Sequence, residues 1–259
     1  MFGTIIGDLA GSIYEYKQSK KVSLVSVDSL IHKDAFFSDD TILTVAILDA
    51  IVNGKKYSNT LKEYGKKFSD YRPNFYPYFK NTFSKGFTNW INGDYIGKSN
   101  GNGALMRISP VGFMFKSEDE VIENAINATI PSHNTHEAIS YATLLSLIIF
   151  YARNNLSKDE IIKKCKLDIR YVPFTKFNVS CKETFNNCIY AAFTSNSLEE
   201  TLKKVISYGG DTDTNAAIAG AVAEALYGID FKIIEEAKKK IPVEFSNLLT
   251  IGYNLIGGY

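Results

Sequence analysis

Apolar residues recur along this chain at helical spacing almost throughout, and the alternating pattern and two-residue turns of hairpins are nearly absent. Three Ser-x-x-Glu pairs, Ser117/Glu120, Ser157/Glu160 and Ser197/Glu200, stand just before apolar runs, where capping boxes start helices. Gly54 and Gly228 stand where two other runs stop, the usual place for a left-handed residue past a helix end. Typical helix lengths then predict about eight to eleven helices. The least helical stretch, Asp168 to Val179 with Pro173 inside it, reads as a loop or a short two-stranded insertion. Phe75-Tyr76-Pro77-Tyr78-Phe79 reads as an irregular aromatic segment, either lining a cleft or pinned to the core by its rings.

The run Phe2 to Tyr16 carries Gly3, Gly7 and Gly11 at spacing four, a stripe along one helix face. Glycine inside a helix costs about 1 kcal/mol per residue. Close approach of another helix backbone compensates most simply, and the small-residue run Ala216 to Ala223 is its natural partner. Asp8, Ser12 and Glu15 share a second face, while Ile5, Ile6, Leu9 and Ile13 point to the core.

The chain has 259 residues, 45% apolar and 22% charged, as expected of a globular protein, and no Gly/Ser-rich linker or charge block divides it. One domain, residues 1–259, is the expectation. The net charge of +1 gives no electrostatic footprint for general nucleic-acid binding. Cys165, Cys181 and Cys188 lack zinc spacing and read as reduced core thiols. The first residues lack a basic stretch and their apolar run contains Asp8 and Glu15, so neither a signal peptide nor a membrane span is predicted. A cytoplasmic protein follows, and, with no unexplained amphipathic heptad, a monomer.

Candidate chemistry lies in two acidic clusters, Ser38-Asp39-Asp40-Thr41 and Gly209-Gly210-Asp211-Thr212-Asp213-Thr214, each heading an apolar helical run. Carboxylates brought together repel and lose hydration unless a cation sits between them. Hard oxygen donors suit magnesium or manganese, and three histidines offer little for a softer ion. The second cluster begins like an EF-hand, but Ala216 stands at position six and Val222 at position twelve, where that loop needs glycine and glutamate. Gly101-Asn102-Gly103-Ala104-Leu105-Met106-Arg107 offers backbone N–H groups to an anion without being a Walker loop. Taken singly, that turn and His133 both read as structural.

Five elements in order change that reading: Gly7-Asp8 through Glu15, Ser38 to Thr41, Gly101 to Arg107, Ser132-His133, and Gly209 to Thr214. Together they resemble the ADP-ribosylglycohydrolase family over residues 3 to about 228. The resemblance implies a compact all-α fold around a binuclear magnesium centre, with manganese able to substitute. Ser38, Asp39, Asp40, Asp211, Asp213 and Thr214 match the metal ligands; Ser38 stands where the family usually has threonine. Glu15 matches an acidic residue on a mobile flap, and Asp211 or Asp213 would orient or deprotonate the attacking water. Asn102, Gly103 and His133, with Gly210 beside the second cluster, match the region holding the diphosphate and riboses. The implied activity is release of ADP-ribose from a modified protein side chain or another ADP-ribosyl conjugate. The alternative is a protein of the same fold that binds ADP-ribose or a nucleotide without cleaving it.

Overall fold

The computed structural model describes residues 1–17, 27, 29–73, 81–174 and 177–258. Among them are thirteen α-helices and no strand. In chain order they are α1 (Phe2–Lys17), α2 (Asp39–Val52), α3 (Tyr57–Lys67), α4 (Lys85–Asn92), α5 (Ser109–Met114), α6 (Glu118–His133) and α7 (His136–Arg153). There follow α8 (Lys158–Cys165), α9 (Cys181–Phe193), α10 (Leu198–Ser207), α11 (Thr212–Tyr227), α12 (Phe231–Lys238) and α13 (Val243–Leu255). The count exceeds the expected eight to eleven because α4, α5 and α12 have eight residues or fewer and hold at most little more than two turns of pattern.

Packing of α1 against α11 forms the centre of the molecule. A Cβ built on Gly3, Gly7 or Gly11 would lie 2.2, 2.1 or 2.2 Å from the carbonyl oxygen of Gly220, Ala216 or Thr212 respectively. No side chain fits there, so the glycine stripe sets an antiparallel register in which Gly11 meets the first turn of α11. Thr212 Oγ1 seals that end by donating to Gly11 O at 2.9 Å. At the other end Glu224 accepts from Gly3 N–H at 2.8 Å, from the Met1 amino group and from Tyr253 Oη, so a buried carboxylate serves free N–H groups at the start of α1. Ile5, Ile6, Leu9 and Ile13 are core residues as expected, but Asp8 and Ser12 are equally buried. The acidic face of α1 therefore points into the protein.

Ser117/Glu120 and Ser157/Glu160 form complete capping boxes. The third is half formed: Ser197 Oγ accepts from Glu200 N–H, but Glu200 turns to the N–H of Asn196. Gly54 and Gly228 have the left-handed φ expected of them, +61° and +72°. All three cysteines are free, Cys181 and Cys188 buried and Cys165 only half-buried at the end of α8. The described part of Asp168–Val179 is irregular, and an isolated bridge pairs Gly101 with Ser180 just beyond it. The aromatic segment 75–79 lies outside the described residues. No helix among the described residues is long and apolar enough to cross a membrane.

Candidate functional site

The first acidic cluster is built on α2. Ser38 is its N-cap, accepting from Asp40 N–H at 3.2 Å and donating to Asp40 Oδ2 at 3.0 Å. Asp39 and Asp40 stand in the first turn, the helix beginning three positions before the apolar run that opens at Ile42. Asp8 on α1 holds this turn in place: its Oδ2 accepts from Ser38 N–H at 2.8 Å, Thr41 N–H at 3.1 Å and Thr41 Oγ1 at 2.5 Å.

The second cluster heads α11. Gly209 and Gly210 take left-handed φ values of +73° and +79°, a turn that L side chains resist, and it delivers Asp211 to the start of the helix. Asn102 Nδ2 donates to Asp211 Oδ2 at 2.7 Å and so orients this carboxylate from the Gly101–Arg107 segment. Asp213 Oδ1 accepts from Thr214 N–H at 2.8 Å, and Thr214 Oγ1 reaches Asp40 Oδ2 at 3.3 Å.

These contacts gather the carboxylates into two triads with Asp213 in common. Oxygens of Asp8, Asp40 and Asp213 lie within 4.8 Å of one another, and so do oxygens of Glu15, Asp211 and Asp213. Burial first, then the charges of Asp8, Asp39 and Asp211, pushes Asp40 well above the usual carboxylate range. Asp213 is pushed up likewise, by burial and then by Glu15, Asp211, Asp40 and Asp8. Desolvation and the charges of Asp8 and Asp211 raise Asp39 to about 7. Asp8 rises to about 6 through burial, held down by the donors from Thr41 and Ser38. Asp211 is raised by burial against the Asn102 hydrogen bond.

A buried group of carboxylates so mutually unfavourable could hold a cation. Asp8 Oδ1 and Asp40 Oδ1 are buried without a hydrogen-bond partner, as oxygens reserved for an ion would be. The donors are all oxygen, which fits a hard divalent ion. Sequence reasoning named Asp40, Asp211, Asp213 and Glu15 but gave Asp8 no role, although its position beside the glycine stripe carried the signal. Ser38, Asp39 and Thr214 line the adjoining cleft, and the hydroxyls of Ser38 and Thr214 lie 3.0 and 3.3 Å from Asp40 Oδ2, an oxygen of the first triad's residue. Glu15 occupies the last turn of α1 and lines the cleft.

The cleft measures about 930 Å³. Its acidic floor is Glu15, Asp39, Asp211 and Asp213; Asn102, Gly103, Arg107 and His133 continue the wall. Beyond them stand Phe83, Phe87, Trp90, Tyr95 and the exposed Lys85 and Lys98, which sequence reasoning had not singled out. Gly210 is not among the described lining residues; a Cβ built on it would meet Phe174 at 3.8 Å. His133 is buried as the last residue of α6, just before its C-cap Asn134 and the N-cap Thr135 of α7.

The chain matches the ADP-ribosylglycohydrolase family over residues 1–247. It is 21% identical to the ADP-ribosylarginine hydrolase Tri1 of Pseudomonas putida (strain GB-1), the match covering 88% of this chain and 70% of that protein. Identity to the mouse (Mus musculus) ADP-ribosylhydrolase ARH3 is 23%, over 88% of this chain and 82% of the relative. A solved structure titled "ADP-ribosylglycohydrolase-related protein complex" superposes with a TM-score of 0.74 at 16% identity, covering 98% of this chain and 95% of the other, which shows a shared fold. The family match takes in both acidic clusters and every helix from α1 to α12, and this all-α chain belongs to the ADP-ribosylglycohydrolases, glycohydrolases of the ADP-ribosylhydrolase type.

Proposed function

We propose that this chain is a metal-dependent hydrolase that frees ADP-ribose from a modified protein side chain or another ADP-ribosyl conjugate. The observation that carries the reading is Asp213, which lines the cleft and is shared by two oxygen triads. Asp8, Asp40 and Asp213 on one side, and Asp211 and Asp213 on the other, would hold two magnesium or manganese ions, with Ser38, Asp39 and Thr214 completing the set. When bound, such ions stabilise negative charge and favour ionisation of water.

The chain's own groups do the rest. Cleavage at the anomeric carbon develops oxocarbenium character, which nearby carboxylates stabilise. Asp211, oriented by Asn102, or its neighbour Asp213 directs a water and takes its proton. Glu15, at the edge of the floor, is the acid–base group facing the leaving atom. The Gly101–Gly103 turn and His133 receive the diphosphate and riboses, supplying binding energy away from the bond that breaks. The aromatic far wall suits a nucleobase. Residues 1–259 act as one catalytic domain, working as a monomer.

The test is a panel of defined substrates carrying ADP-ribose on arginine, on serine or as an acetyl ester. Free ADP-ribose is measured by mass spectrometry, before and after EDTA and with magnesium or manganese restored. Release that needs the metal is expected. Full activity without metal sinks the mechanism, and binding of ADP-ribose without turnover of any conjugate makes the chain a binding protein instead.

A further inference from the structure

Arg107 is among the most deeply buried large side chains, 1% exposed, although it carries a charge. Burial lowers its pKa to about 10, with Asp39 working against the shift, so at neutral pH it remains a cation. Its NH2 group donates to Ser132 Oγ at 2.6 Å, and Ser132 Oγ lies 2.7 Å from His133 Nδ1. Among the described residues Ser132 Oγ has no other hydrogen-bond partner.

The direction of these two bonds follows from what each group can do. A guanidinium only donates, so the serine oxygen must accept from Arg107. The one hydroxyl proton is then left for His133 Nδ1, which must accept it. Were Nδ1 protonated, the hydroxyl would receive two donors and its own proton would have no acceptor. The imidazole therefore carries its proton on Nε2. Burial, and then the Arg107 charge, hold the ring pKa well below its ordinary value, which keeps the ring neutral.

Nε2 faces the cleft wall: a methyl built on Gly103 would lie 3.4 Å from it, and one on Gly101 4.0 Å. The backbone that carries the ring is held in place, because the end of α6 is paired with the cleft-lining segment. Gly97 N–H donates to Pro131 O at 3.0 Å, Asn134 N–H to Gly97 O at 2.8 Å, and Lys98 bridges His133.

We propose that Arg107 and Ser132 are positioning residues that lock His133 as the neutral Nε2–H tautomer, aimed to donate one hydrogen bond to a phosphate or ribose oxygen of the ligand at the Gly101–Gly103 turn. The ligand half of this statement rests on the function proposed above; the tautomer half does not. An uncharged donor of fixed direction selects an oxygen by geometry, whereas a lysine there would attract any anion.

Two-bond proton–nitrogen NMR on protein labelled with ¹⁵N-histidine reads the tautomer directly at pH 7, and a His133→Gln variant assigns the signal. Wild type should show His133 protonated at Nε2 alone. Ser132→Ala should give a mixture of tautomers, with Ser132→Thr restoring the single form. By calorimetry, Ser132→Ala should weaken ADP-ribose about tenfold, the loss of one well-aligned hydrogen bond. A wild-type ring protonated at Nδ1, or at both nitrogens, overturns the proposal and needs no variant to fold. Unchanged ADP-ribose affinity in a Ser132→Ala protein of mixed tautomer overturns its ligand half. Should wild type bind no ADP-ribose, the functional reading fails by itself, and the NMR result still decides the relay.

Discussion

Thr214 Oγ1 donates to Asp40 Oδ2 across 3.3 Å, joining the heads of α11 and α2 over 174 positions of sequence. Asp213, the residue before it, then belongs to both carboxylate triads. A side chain shared in this way cannot be lost from one triad without being lost from the other.

Asp213→Ala is therefore expected to weaken manganese binding at both sites by more than the roughly 10–100-fold typical of an outer-shell partner, and to lower turnover with it. Titration calorimetry against wild type checks this. Two intact binding events in the variant would show that Asp213 is not shared.

Asp8→Asn separates structure from ion binding. An asparagine oxygen can accept the three donors from Ser38 and Thr41, but its amide replaces the unpartnered Oδ1. Metal affinity should fall at least about tenfold. The thermal midpoint of metal-free protein should hold or rise, because one buried charge is gone. A lower midpoint with unchanged metal affinity would make Asp8 purely structural.

Glu15→Gln should leave ADP-ribose affinity close to wild type while turnover falls by about 10²–10⁴, the usual contribution of a general acid or base. Single-turnover measurements on the preferred conjugate decide the matter. Normal turnover removes Glu15 from the chemistry.

The stability of metal-free protein should fall as pH rises. Asp8 and Asp39 titrate at about 6 and about 7 in the folded state, and Asp40 and Asp213 are raised further, against 3.8 for a free aspartate. The folded protein thus binds more protons than the unfolded chain between about pH 4 and 7 and above. Each such proton costs about 1.4 kcal/mol of stability per pH unit across its window. Melting in EDTA should occur at a higher temperature at pH 5.5 than at pH 8, and saturating magnesium should stabilise most at pH 8. A metal-free midpoint that climbs with pH would contradict the raised carboxylates.

Gly7→Ala should destabilise by about 1–3 kcal/mol through overpacking, although alanine is the better helix former by about 1 kcal/mol. Its methyl would meet Ala216 O at 2.1 Å, a backbone atom that cannot turn aside. Denaturant unfolding measures the change. A stabilised variant would mean that the two helices do not touch there.

Much of this protein was legible in its residues. Helical periodicity, two full capping boxes and the glycine stripe are local properties, and they announced an all-α chain with α1 laid against α11. The acidic clusters were visible too, because carboxylates side by side at helix starts need no tertiary knowledge to be noticed. The short helices α4, α5 and α12 escaped, since eight residues or fewer hold little more than two turns of pattern.

What only the tertiary structure decided was which groups face one another. Asp8 shares a helix face with Glu15, yet the chain's return through α2 made it the acceptor that holds the first cluster in place. Arg107 is one letter in a glycine-rich stretch until the end of α6 brings Ser132 beneath its guanidinium. Sequence records which chemical groups exist and how they repeat along a helix. Burial, mutual charge and the direction of a hydrogen bond depend on neighbours dozens to hundreds of residues away, and these exist only once the helices have packed.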